Sequence, residues 1–357
     1  VEAFEYDALP GRVVFGWGAR ARLTAELERL GAKRVFLVAS RSATRVADEL
    51  AEALGPRLAG RWAEVVEHVP VAVAKRARDA ARAAGTDMVV CIGGGSAIGL
   101  AKAVVLEIEA PVVALPTTYA GSEMTPVYGL TEGTHKRTGR DLRVLPRVVI
   151  YDPELTMGLP VGISVASALN ALAHCVEGLY GPGGNPVTTA VALEGIRVLT
   201  TAIPRLVANP GEPAVRSDLC LGAYLAGTVI ATVGVGIHHR TCHVLGGTFG
   251  LPHAASNAVV LPHALASNAL EIPAALARIA DAMRTDDPPA TTFDLVAGAG
   301  LPTSLRDLGL SETALDDVAA RVVAETPANP RPVEPTWVRR MLDDAWRGVR
   351  PSARRDE

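Results

Sequence analysis

The spacing of apolar residues changes about halfway along the chain. Over the first ~155 residues, short apolar runs alternate with stretches at helical spacing. RVFLVAS (34–40), DMVVCIGGGS (87–96) and APVVALPTT (110–118) are short, rich in β-branched residues and bounded by turn formers, so they predict strands. WAEVVEHV (62–69) reads the same way. Helical spacing fills the intervals: to about 54, over about 71–85, and from the glycines to about 108. Strand and helix in alternation imply a parallel sheet with helices on both faces. From about 160 onward the spacing is helical, and Gly/Pro clusters at 181–186, 209–213, 287–289 and 327–335 divide it into separate helices. The expected fold is an α/β domain over 1–155 followed by an all-α domain over 156–357, joined at YDPELTMGLP (151–160).

One helical stretch tests this picture. LCLGAYLAGTVIATVGVGI (219–237) carries no charge and has about the length of a membrane span. It is dense in glycine and leads straight into a histidine cluster, which a buried helix beside an active site explains better. Composition agrees: 49% hydrophobic and 20% charged residues describe a globular chain. A net charge of -3 offers no basic face for nucleic acid. Cys91, Cys175, Cys220 and Cys242 are scattered without a C-x-x-C pair, and no leader pattern opens the chain. A reducing, cytoplasmic setting with no membrane partner is expected.

Chemistry concentrates in two places. CIGGGSAIGLAK (91–102) puts Gly93, Gly94, Gly95 and Ser96 between a buried strand and a helix. Glycines let a phosphate approach the backbone, and the N–H groups at a helix start favour an anion. A plain strand–helix turn uses glycines too, and this is not the G-x-G-x-x-G fingerprint. LPTTYAGSEMTP (115–126) favours the nucleotide, because the hydroxyls of Thr117, Thr118, Tyr119 and Ser122 follow the next strand, where open α/β sheets bind ligands. After the first strand the chain reads Ala39-Ser40-Arg41, with no carboxylate to repel a 2′-phosphate. Ser40 is therefore a further cofactor candidate, and use of both NADH and NADPH is expected.

The second place is GIHHRTCHVLGGTFGLPH (236–253), which holds four of the eight histidines. His239 and His243 are four apart, on one helical face, and a Gly-rich bend can return His253 beside them. Asn170 and His174 repeat the four-residue spacing upstream. Three imidazoles and an amide oxygen can converge on a divalent transition metal. A single histidine is more often a hydrogen-bonded core residue. That reading is kept for His68, His135 and His263, while two spaced pairs in apolar helices argue against it. His238 turns about 100° away from His239 and is expected to support it.

Taken together, these stretches resemble the iron-containing (group III) alcohol dehydrogenases, and within them the maleylacetate reductases. The likeness runs from VVFGWGARARL (13–23) through GGGSAIGLAKA (93–103), LPTTYAGSEMTPVYGLTEGTHKRTGRD (115–141), LPRVVIYDPELT (145–156), NALAHCVEGLY (170–180) and HHRTCHVLGGTFGLPHA (238–254) to LPTSLRDLGL (301–310) and NPRPVE (329–334). It implies a dehydroquinate synthase-like fold: a nucleotide-binding α/β domain, a helical domain and an active site in the cleft between them. It carries the metal-ligand positions onto Asn170, His174, His239 and His253, and the proton relay onto His243. Gly99 and Asn170 stand where metal-dependent members usually carry Asp. Ala255, Ser256 and Asn257 replace the HAETH pattern of the reductases, which predicts a reshaped pocket.

The implied reaction is NAD(P)H-dependent reduction of the conjugated C=C of maleylacetate, or a related enone acid, to 3-oxoadipate in aromatic catabolism. Negative charge gathers on the ketone oxygen, so donors or a cation are needed there, with a proton source near neutrality. His174, His239, His243, His253 and Lys136 are the catalytic candidates, with His243 the proton donor. Tyr119, Asn170, Lys136 and Arg240 are the substrate candidates, helped by Arg137 and Arg140 against the two carboxylates. Without an anionic ligand, iron or zinc is expected to bind weakly or not at all. The imidazoles would then act mainly as N–H donors to the ketone oxygen. A homodimer is expected. Two other readings stay open: a metal-dependent alcohol dehydrogenase acting on a simple carbonyl, and a non-redox lyase or isomerase retaining the fold.

Overall fold

The computed structural model describes residues 4–9, 11–133, 135–325 and 328–353, except the side chains of residues 135 and 136. The chain forms two compact units, Ala8–Leu159 and Pro160–Glu357 with Val1–Asp7.

The first unit is α/β. Its strands are β1 (Arg12–Phe15), β2 (Val35–Ala39), β3 (Leu58–Trp62), β4 (Met88–Gly93), β5 (Val112–Pro116), β6 (Val127–Glu132), β7 (His135–Arg140) and β8 (Val148–Tyr151). The intervening helices are α1 (Leu23–Arg29), α2 (Thr44–Leu54), α3 (Val71–Ala83) and α4 (Gly95–Val105). Six strands make one parallel sheet in the order β1-β8-β5-β4-β2-β3. Every residue of β2, β4, β5 and β8 is buried, as expected for central strands covered on both faces. Leu27, Leu37, Leu50, Ile92, Val113 and Ile150 form the core on one face.

Two local expectations change here. WAEVVEHV is not a strand: β3 ends at Trp62, because its only partner, β2, ends at Ala39. The remainder closes in a corner with His68 (φ 61°) and Val69 (φ 50°) in the left-handed region. Thr131 holds that corner, its N–H donating to the Val69 carbonyl (3.1 Å) and its hydroxyl to the His68 carbonyl (2.8 Å). No strands were expected in 127–140, whose polar composition hides the alternation, yet β6 and β7 pair there as an antiparallel hairpin.

The second unit is helical: α5 (Val161–Gly178), α6 (Pro186–Ala208), α7 (Pro213–Val233), α8 (Ile237–Phe249), α9 (His253–Asn268), α10 (Pro273–Met283), α11 (Pro288–Gly298), α12 (Leu315–Ala324) and α13 (Pro335–Arg347). The Gly/Pro clusters fall between these helices. Asn185 starts α6 with a capping box, its side chain accepting the Val187 and Thr188 N–H groups while the Thr188 hydroxyl accepts from the Asn185 N–H. With few aromatic residues to fill space, backbones approach closely: a Cβ on Gly195 would strike Cys175, and one on Gly222 would strike Leu199. By length and composition α5 and α7 could each cross a membrane, but both are largely buried and pack against each other and α6. The uncharged run is a core helix, ended by Gly234 at φ 89°.

Candidate active site

In the α/β unit the chain passes from β2 outward to β3 and returns on the other side of β2 as β4. Such a reversal opens a crevice at the carboxyl ends of the two diverging strands, where ligands bind in open sheets. Ser40 follows β2 there, and Gly93 ends β4 with φ 149°. A Cβ on Gly93 would lie 2.8 Å from Ser40 Oγ and 2.7 Å from Ala97 Cβ, so only glycine fits. A Cβ on Gly94 would come 2.9 Å from Thr118 Cγ2, which places Thr118 over the turn. Gly95 and Ser96 open α4, whose first N–H groups have no intrahelical acceptors. Thr117 N–H donates to the Gly93 carbonyl (3.0 Å), tying the turn to the end of β5. Ser122 Oγ, near Gly95, is buried without a hydrogen-bond partner among the described residues. The candidate cofactor residues thus gather at one end of the sheet. Tyr119 is fully buried.

Two residues beneath this turn had not been singled out. Lys102, on α4, is buried and its Nζ donates to the carbonyls of Ser122 (2.6 Å), Thr125 (2.7 Å) and Val127 (2.9 Å) and to Thr125 Oγ1 (3.0 Å). It binds the loop carrying Ser122 to the helix that starts at the glycines. Burial pushes its ammonium pKa down to about 7, against the pull of nearby Glu123. Glu123 is also buried, and its Oε1 accepts from the Tyr151 hydroxyl at 2.6 Å. The available signal was a lone lysine in the apolar run AIGLAKAVV, since lysine is rarely buried without partners.

In the helical unit, α5 carries Asn170 and His174 one turn apart, α8 carries His238, His239 and His243, and α9 begins with His253. Asn170 Nδ2 lies 3.4 Å from His174 Nε2. The His174 ring stacks on His239 at 4.1 Å between centroids, with 6° between planes. His243 and His253 stack more loosely, at 6.1 Å and 17°. Asn170, His238 and His239 are buried, whereas His174, His243 and His253 are half-buried. Burial holds the His239 imidazole pKa well below its ordinary value, with His238 and His253 acting in the same direction, so this ring is neutral near pH 7.

The sequence reading missed Glu177, one turn beyond His174 on α5 and almost fully buried. Its Oε1 accepts the His238 backbone N–H (2.8 Å), and its Oε2 accepts the Gly236 N–H (2.9 Å) and lies 2.6 Å from His239 Nδ1. Burial raises its pKa, while His238 and the N–H groups aimed at it pull the other way. A charged residue at i+3 from His174 and i+7 from Asn170 was the signal available. His238, as expected, plays a supporting part: its Nε2 is 3.0 Å from the Asn257 carbonyl and its Nδ1 is 3.2 Å from His239 Nδ1.

Among the described residues, Glu177, His238 and His239 bring ligand-type atoms within 4.8 Å of one another. Those atoms are engaged with each other and with the backbone, so this group steadies a ring and is not itself an ion site. His239 Nε2 differs. It is buried with no hydrogen-bond partner among the described residues, and the ring is neutral. An electron pair in that position suits a divalent cation. His239 Nε2, with the His174 ring stacked against its own, is therefore the donor on this face that suits a metal.

Other expectations resolve less favourably. The Lys136 side chain lies outside the described residues. The Arg240 guanidinium is engaged by Glu325 at 2.7 Å, so a substrate carboxylate would have to displace that partner. Arg137 and Arg140 are exposed on β7. Ser256 and Asn257 lie near the start of α9, and both are buried. Their side chains donate back to the Pro252 (3.0 Å) and His253 (2.7 Å) carbonyls and steady the first turn of α9. His263 is buried edge-on to Phe293, in keeping with a core residue.

Family models match both parts of the chain: "Iron-containing alcohol dehydrogenase" over residues 10–153 and "Fe-containing alcohol dehydrogenase family, C-terminal" over residues 164–346. The chain belongs to the iron-containing alcohol dehydrogenase family. It is 46% identical to maleylacetate reductase of Burkholderia cepacia, over 99% of this chain and 100% of that protein. Among solved structures it is similar to an iron-containing alcohol dehydrogenase from Corynebacterium glutamicum (TM-score 0.94, 45% identity, 98% of each chain). It is likewise similar to maleylacetate reductase from Agrobacterium tumefaciens (TM-score 0.94, 43% identity, 98% of this chain and 100% of that one). The protein is an NAD(P)H-dependent oxidoreductase, which removes the non-redox reading.

Proposed function

We propose that this chain reduces the conjugated C=C bond of maleylacetate, or of a closely related enone dicarboxylate, with NADH or NADPH. The observation that carries this reading is the end-to-end likeness to maleylacetate reductases. Residues 1–155 supply the nucleotide site, through Ser40, Gly93–Ser96, Thr117, Thr118 and Ser122, and residues 156–357 supply the proton chemistry.

Hydride from the dihydronicotinamide adds to the alkene carbon β to the ketone. The electron pair moves onto the ketone oxygen as an enolate, and a proton then adds at the α carbon. His243, half-buried on α8, donates that proton, since imidazole transfers protons readily near neutral pH. His174 and His253 flank the ketone oxygen, and the Asn170 amide orients it. A divalent metal on Asn170, His174, His239 and His253 would, when bound, polarise that oxygen. Arg240 holds a substrate carboxylate, its guanidinium exchanging Glu325 for it. A homodimer in a reducing, cytoplasmic setting completes the reading. Phe15 and Trp17, exposed beside the sheet-edge strand β1, form a face that a second copy would cover.

The test is NADH consumption across a panel of enone dicarboxylates and short aldehydes. Maleylacetate should give the highest kcat/KM, and faster turnover of an aldehyde would favour the alcohol dehydrogenase alternative.

A further inference from the structure

Two nitrogens of one imidazole are seldom equivalent, and for His239 the surroundings decide between them. Glu177 reaches from α5 to the start of α8, where Gly236 is the N-cap and a Cβ would lie 2.6 Å from Glu177 Oε1. Each carboxylate oxygen accepts one backbone N–H there, at 2.8 and 2.9 Å. Burial raises this carboxyl's pKa, and the donors on both oxygens, at a helix N-terminus, work against that in favour of the ionised carboxylate. An ionised carboxylate only accepts, so the proton in the 2.6 Å contact belongs to His239 Nδ1.

His238 leads independently to the same assignment. Its Nε2 faces the Asn257 carbonyl at 3.0 Å, and a carbonyl can only accept, so this nitrogen carries its proton. The other nitrogen of a neutral His238, Nδ1, is then an electron pair, and it lies 3.2 Å from His239 Nδ1. Both neighbours of His239 Nδ1 are acceptors, and both require the proton there. The electron pair of His239 is left on Nε2, which is buried without a hydrogen-bond partner among the described residues.

We infer that Glu177 is a positioning residue that holds His239 in its Nδ1–H form, so that Nε2 acts only as an electron-pair donor. The ligand it takes is a divalent cation or a polarised N–H or O–H group, and not an enolate oxygen. His239 is therefore removed from the N–H donors expected around the ketone oxygen. A carboxylate behind a metal-binding imidazole also raises its basicity, and losing such a partner commonly costs about 10- to 100-fold in metal affinity. The inference rests on the proposed active site only for the place of His239 in it, and not on the substrate.

The experiment is a ¹H–¹⁵N correlation spectrum of histidine side chains in the full-length, metal-stripped protein, with His239→Gln to assign the resonance. The wild type should show His239 protonated at Nδ1. In Glu177→Gln, which has a similar shape, the side-chain amide presents a donor to Nδ1 and only the His238 electron pair still holds the proton there, so a population with the proton on Nε2 should appear. Affinity for Co²⁺ added alone, measured by chelator competition, should fall about 10- to 100-fold in that variant. A wild-type proton on Nε2 would overturn the inference, and this readout needs no variant to fold. A Glu177→Gln protein with no Nε2–H population, or with unchanged Co²⁺ affinity, would overturn it as well. Failure to reduce maleylacetate would count against the proposed function alone, since the tautomer is read without substrate.

Discussion

At the end of β4 the groups proposed to meet a ligand are backbone N–H groups, whereas on the face built by α5, α8 and α9 they are imidazoles and an amide. The first arrangement depends on atoms that are absent, since Gly93 and Gly94 leave space that a methyl group would close. The second depends on atoms that are present and held, with His239 fixed by Glu177 and the start of α9 fixed by Ser256 and Asn257. Each also has a buried ionisable group beneath it, Lys102 under the turn and Glu177 under the histidines. A site made of backbone should therefore tolerate trimming of nearby hydroxyls and fail when a carbon is added. A site made of side chains should do the reverse.

The largest effect is expected from the side-chain site. His243→Ala should lower kcat about 10²- to 10⁴-fold while the KM for NADH stays within a few-fold, because a proton donor acts in the transition state. Steady-state kinetics decide it, and wild-type turnover would make His243 structural. Next comes the backbone site. Gly93→Ala forces a methyl group against Ser40 and Ala97 at a positive φ, and overpacking of this kind costs about 1–3 kcal/mol. NADH binding followed by fluorescence should weaken roughly 10- to 100-fold, while Ser40→Ala changes it far less. Equal losses in both variants would break the comparison.

A smaller effect concerns the nucleotide itself. With Ser40 and Arg41 after β2 and no carboxylate there, kcat/KM for NADH and NADPH should differ by less than about 100-fold, or 2.7 kcal/mol. A wider gap in favour of NADH would reveal another group that excludes the 2′-phosphate. The smallest shift is expected at the metal. Asn170→Asp adds an anionic ligand to a neutral set and should tighten divalent metal binding about tenfold, measured against a chelator. Unchanged affinity would mean that position 170 does not face the ion.

Much of this arrangement could be read from residue order, because periodicity and turn chemistry are local. The strand–helix alternation, the glycine turn after β4 and the two pairs spaced by four residues all depend on neighbours within a few positions. The errors share one cause. WAEVVEHV has strand composition, but β2 provides no partner beyond Ala39. The hairpin of β6 and β7 is held by pairing across a polar sequence.

The sequence by itself determined the class of fold, the family, the glycine turn after β4 and the histidines spaced along α5 and α8. Only the tertiary structure decided which buried charges matter, because their partners lie far away along the chain. Lys102 meets Thr125, 23 residues on, and Glu177 meets His239, 62 residues on. In isolation a buried lysine or glutamate is merely costly. Its use emerges when folding brings acceptors or donors around it, and composition and spacing carry no record of that encounter.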